Sequence, residues 1–138
     1  MSPTLAETWA NKWHKHAQRD LYPFTFVPYE DAKRVMERVI PVFESDMDSY
    51  TREFAAAAEP YEARAHDLEA QGNAAAAREN YLKAYGLYRT ARFPCMNTPG
   101  KIAAYRKSQA CVLKAWSCDA VPPERIEMPF DGRAGEGA

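Results

Sequence analysis

The chain has 138 residues, 46% of them hydrophobic, and a formal net charge of −1. That length makes one domain, able to bury about two-thirds of the surface its unfolded chain would expose. The near-neutral charge argues against duplex nucleic acid or an anionic membrane as a partner. The sequence has no apolar run of membrane-spanning length and no basic-then-apolar signal pattern. The expected compartment is the cytoplasm, with Cys95, Cys111 and Cys118 as reduced thiols, since an odd, scattered set is no disulfide framework.

A first helix is predicted from about Thr4 to Arg19, with Leu5, Trp9, Trp13 and His16 on one face. Leu21 to Pro28 is an aromatic connector that should not be helical, because Pro23 and Pro28 restrict the residues before them to extended geometry. A second helix follows over Tyr29 to Ile40, with Ala32, Val35, Met36 and Val39 as its apolar stripe and Pro41 as its interruption. Ser45 or Asp46 is the expected cap of a third helix carrying Met47, Tyr50 and Phe54 on one side. Pro60 predicts a kink or restart within it. Gly72-Asn73 makes a turn, and Ala74 to Arg92 is the clearest helix, with Ala77, Tyr81, Ala84, Tyr88 and Ala91 in steps of four and three. Phe93-Pro94 ends it. Pro99 starts a last helix with the stripe Ile102, Tyr105, Val112, Leu113 and Trp116, ended by Pro122-Pro123. Glu124 to Phe130 reads as extended, and Asp131 to Ala138 as a small-residue tail. The expected fold is all-α, five to six helices packed as αα-hairpins with a short extended C-terminal segment.

No Gly-x-Ser-x-Gly elbow occurs, so no catalytic residue is assigned. His14 and His16 are two apart on a helix and diverge by about 200°, which rules out a shared metal. No metal site and no cofactor are expected. Cys95 lies beyond a helix C-terminus, where nothing lowers a thiol pKa. Tyr22, Phe24, Phe26 and Tyr29 are the candidate substrate-binding residues, grouped in the connector. Trp9, Trp13, Ile126, Met128 and Phe130 are the candidate partner-binding residues. The two tryptophans share a helical face, and the last three alternate like an edge strand.

One ordered set of motifs covers about half the chain. It runs through Tyr61-Glu62-Ala63-Arg64-Ala65, Gly72-Asn73, Ala77-Arg78-Glu79-Asn80-Tyr81-Leu82-Lys83-Ala84, Tyr88 and Ala91-Arg92-Phe93-Pro94. Lys101, Tyr105 and Ser108 follow, and then Pro123-Glu124-Arg125-Ile126-Glu127-Met128-Pro129-Phe130. This order resembles the N-terminal helical domain of the pseudooxynicotine-hydrolase-like and polyketide-transferase-like α/β-hydrolases. The resemblance implies a helical cap over 1–123. Residues 124–138 would then begin a catalytic domain whose serine nucleophile lies outside this sequence.

The implied function is substrate gating for a hydrolase of ester, amide or C–C bonds, or for an acyl transferase. The implied lining of the pocket is the connector's aromatic group. The expected partners are a hydrolase catalytic domain or chain, or a second copy. Gly72, Ala84, Tyr88 and Ala91 also fit part of one tetratricopeptide repeat. The alternative function is therefore a small helical adaptor that binds a protein through a tyrosine-rich groove.

Overall fold

The computed structural model describes residues 2, 5–93 and 97–135, with the side chains at 5, 6, 9–11 and 133–135 outside that description. The fold is all-α, as expected. The helices are α1 (Leu5–Gln18), α2 (Tyr29–Val39), α3 (Asp48–Ala70), α4 (Ala74–Ala91) and α5 (Pro99–Ser117), with a 3-10 turn at Ile40–Val42. α3, α4 and α5 pack as two successive αα-hairpins, α2 lies against α3, and α1 against α2. Two short strands, β1 (Met128–Phe130) and β2 (Arg133–Gly135), close the chain as an antiparallel hairpin.

Local signals set most boundaries. Gly72 has φ +77°, Gly72 N–H donates to Glu69 O at 3.0 Å, and Asn73 N–H donates to Leu68 O at 2.9 Å. That pair of bonds is a Schellman stop for α3, and the Asn73 side chain then accepts from Ala76 N–H to start α4. Asp20, at φ 53°, closes α1 in the same way, with Leu21 N–H donating to His16 O at 2.9 Å. Thr98 accepts from Lys101 N–H ahead of Pro99 at the start of α5.

Three expectations fail at the next level. The cap of α3 is neither Ser45 nor Asp46 but Met47, with no side-chain cap bond. The Asp46 carboxylate accepts from Arg52 at 2.8 Å. α3 also does not restart at Pro60, which lies inside the helix on its exposed side. Phe54, Ala58 and Ala65 on the opposite face are buried against the neighbouring helices, and this packing holds the helix across the missing backbone bond.

The third concerns α5. Its buried residues are Lys101, Ala104, Ser108, Cys111 and Ala115, while Ile102, Leu113 and Trp116 of the predicted stripe are 42%, 58% and 41% exposed. Tyr81 and Tyr88 of α4 fill the space between the helices. The facing surface must be small to admit them, so volume overrides hydrophobicity. The predicted stripes of α2 and α4 are buried in full.

The buried phenols couple this core to pH. Burial raises the Tyr50, Tyr81 and Tyr88 phenols above their ordinary range. Burial, and then the Asp31 carboxylate, pushes Tyr61 up to about 12. Above pH 10 the unfolded chain loses these protons while the folded chain keeps them, so stability must fall as pH rises from 10. Denaturant midpoints measured between neutrality and pH 12 should drop in that window, and Tyr88→Phe should flatten the drop. A midpoint unchanged through the window would contradict this burial.

Candidate functional site

α4 holds the aromatic connector by one face, through Gly86, Arg89 and Thr90. A Cβ on Gly86 would lie 2.7 Å from Thr25 O and 3.1 Å from the Phe26 carbonyl carbon. The connector backbone thus passes where any other side chain would begin. One turn on, Arg89 Nη2 donates to Thr25 O at 2.7 Å and to Pro23 O at 3.3 Å. The Thr90 hydroxyl lies 2.7 Å from Pro23 O and 2.8 Å from Gly86 O. Phe26 takes φ 67°, and its N–H donates to Asp20 Oδ1 at 2.7 Å.

This clamp divides the four candidate substrate residues. Phe24 turns inward and is 1% exposed, beside Trp13 and Phe54. Tyr29 is half-buried, stacked on Trp13 at 5.9 Å, with its hydroxyl 3.1 Å from His14 Nδ1. Tyr22 and Phe26 stay on the surface, at 52% and 43% exposure. The Arg89 guanidinium lies 5.4 Å from the Tyr22 ring and 4.9 Å from the Tyr85 ring. Phe93 meets Tyr22 edge-on at 5.3 Å, and Tyr85 lies 6.3 Å from Phe26. The result is a shelf of aromatic rings around one cation. Sequence reasoning missed Arg89 as its centre. The available signal was Tyr85 and Arg89 four apart on one helical face.

Beside the shelf, between α1 and the connector, a cleft of about 240 Å³ is lined by Thr8, Lys12, Trp13, His16, Pro23 and Phe24. His16 Nδ1 lies 3.2 Å from Tyr22 O, and a carbonyl only accepts, so this nitrogen carries the proton. The cleft suits a small apolar group. A larger groove of about 560 Å³ lies between α3 and α5. It is lined by Ala55, Ala56, Gly100 and Ala103, together with Asp48, Arg52, Glu59 and Lys107.

The candidate partner residues separate likewise. Trp13 is 2% exposed and belongs to the core, and the Trp9 side chain lies outside the described residues. Ile126, Met128 and Phe130 are 69%, 71% and 79% exposed. Asp131 and Gly132, at φ 50° and 74°, turn the chain back after Phe130. Two consecutive positive φ angles are the type I′ turn that matches strand twist. The predicted tail is therefore half of a hairpin, and Asp-Gly was the sequence signal for it.

The hydroxyls of Ser45, Ser49, Ser108 and Ser117 each donate to the backbone carbonyl three residues earlier. Burial first, and then the Glu62 carboxylate, pushes the Cys111 thiol up to about 12, which keeps it protonated at neutral pH. Cys95 lies outside the described residues. No group of three metal-ligating side chains gathers among the described residues. No helix there is long and apolar enough to cross a membrane. No known protein-family model matches the chain, and no curated protein matches it either.

Proposed function

We propose that this chain is the helical, substrate-gating cap of a serine-dependent α/β-hydrolase whose nucleophile domain these 138 residues do not contain. The observation that carries the reading is the inverted α5. Its small residues face the core and Ile102, Leu113 and Trp116 are exposed, as are Ile126, Met128 and Phe130 of the C-terminal segment. Large side chains in this arrangement gain free energy by docking on a second surface, about 25 cal/mol for each Å² of apolar area covered. The resemblance of the ordered motifs from Tyr61 to Phe130 to such caps is what supports this kind of domain. The cap's contribution would be to exclude water and shape the pocket over a nucleophile supplied elsewhere. The shelf at Tyr22, Phe26 and Arg89 is the surface offered to substrate.

Two measurements test this. The chain alone should turn over a p-nitrophenyl ester no faster than background, because acyl transfer needs a nucleophile, a base and oxyanion donors together. Added to a family catalytic domain stripped of its own helical domain, it should restore turnover. Leu113→Ser with Trp116→Ser should abolish that rescue without changing helical content. Rescue by the double variant, or no rescue by the wild type, would refute the reading.

The groove between α3 and α5 favours the adaptor as the second reading. Its small floor and charged lining would take an extended peptide, and binding that Arg52→Glu or Lys107→Glu abolishes would favour this reading over the cap.

A further inference from the structure

The C-terminal hairpin has one edge closed to strand addition and one open. In a two-residue hairpin the cross-strand pairs alternate outward from the turn. Phe130 and Arg133 exchange ladder bonds, Pro129 and Ala134 do not, and Met128 and Gly135 do again. The backbone groups of Pro129 and Ala134 therefore point away from the opposite strand. Pro129 has no N–H, so the outer edge of β1 lacks the donor a neighbouring strand requires. Ala134 keeps both its N–H and its C=O on the outer edge of β2. Among the described residues no helix packs along the hairpin.

We propose that two copies of this chain pair through their β2 edges, antiparallel about a two-fold axis. Ala134 of each copy donates its N–H to the carbonyl of the other's Ala134. This edge is its own complement, because a single residue supplies one donor and one acceptor and the two-fold satisfies both. Pairing also extends the two-stranded sheet seen among the described residues. An isolated two-stranded hairpin is marginal in water, and a sheet needs three or more strands with an apolar face to stand alone. The paired sheet has the strand order β1-β2-β2-β1. A two-fold axis perpendicular to the sheet keeps its faces matched, so Met128 and Phe130 of both copies lie on the same side. Pro129 then occupies both outer edges and stops further growth. This inference is independent of the hydrolase reading.

Sedimentation or light scattering over a concentration series tests it with three forms of the full chain. The wild type should approach twice the 15.6 kDa of one chain. Ala134→Pro removes the outward N–H and no ladder bond within the hairpin, and its fixed φ falls on a strand already extended, so it should stay at one chain mass with an unchanged circular dichroism spectrum. Pro129→Ala opens the second edge and should drive assembly beyond two chains. Amide exchange gives an independent readout. The Ala134 N–H should be protected at high concentration and exchange freely on dilution. A wild type at one chain mass throughout, an Ala134→Pro variant that still pairs, or an unprotected Ala134 amide in the dimer would overturn the proposal.

Discussion

Phe54→Ala should destabilise the fold by about 4 kcal/mol, the cost of leaving an aromatic-sized cavity in a packed core. The Phe54 side chain has no exposed surface. Its ring lies 4.7 Å from Tyr50 and 6.3 Å from Phe24. Neither neighbour can collapse into the space. Tyr50 belongs to the same rigid helix, and Phe24 sits on a connector fixed by the Gly86, Arg89 and Thr90 clamp. A domain of this kind has about 5–15 kcal/mol in total, so the variant should melt about 15 °C lower. Phe54→Leu leaves a smaller void and should recover most of the loss. A measured cost for Phe54→Ala below about 1 kcal/mol would place this ring outside a packed core.

Gly86→Ala should be the most damaging of the single-methyl changes, and its sign is set by two opposing effects. Alanine in a helix interior is favoured over glycine by about 1 kcal/mol. Against this, the new Cβ would stand 2.7 Å from Thr25 O, 3.1 Å from the Phe26 carbonyl carbon and 3.2 Å from Val27 Cγ2. Two of these are backbone atoms, which cannot rotate aside. Moving them breaks the Arg89 and Thr90 bonds to Thr25 O and Pro23 O and releases the connector. Overpacking of this kind costs about 1–3 kcal/mol, and the lost bonds about 1 kcal/mol each, so the net effect should be a loss of about 2–3 kcal/mol. Chemical denaturation checks the value. Ala74→Gly at the exposed start of the same helix calibrates the propensity difference alone. An increase in stability for Gly86→Ala would mean that the connector does not cross α4 at this point.

The helices, the turn between α3 and α4 and the start of α5 were legible because their causes are local. Gly72, Asn73, Thr98 and Pro99 act through bonds to residues within five positions, and the α4 stripe from Ala77 to Ala91 repeats at the helical period. The Asp131-Gly132 turn was equally local, and was missed only because its second strand is short and rich in glycine. Of the candidate site, Tyr22 and Phe26 were legible as exposed aromatics of an irregular segment. Arg89, 67 residues beyond Tyr22, was not, because its role depends on where the connector crosses α4.

The sequence by itself determined that this chain is helical, that α3 stops at Gly72 and that α4 stops before Phe93. Only the tertiary structure decided which faces are buried. A hydrophobicity pattern ranks residues by their affinity for water, whereas a packed interior selects by volume. The large rings of Tyr81 and Tyr88 left room on α5 for Ala104, Ser108, Cys111 and Ala115, and turned Ile102, Leu113 and Trp116 to the surface.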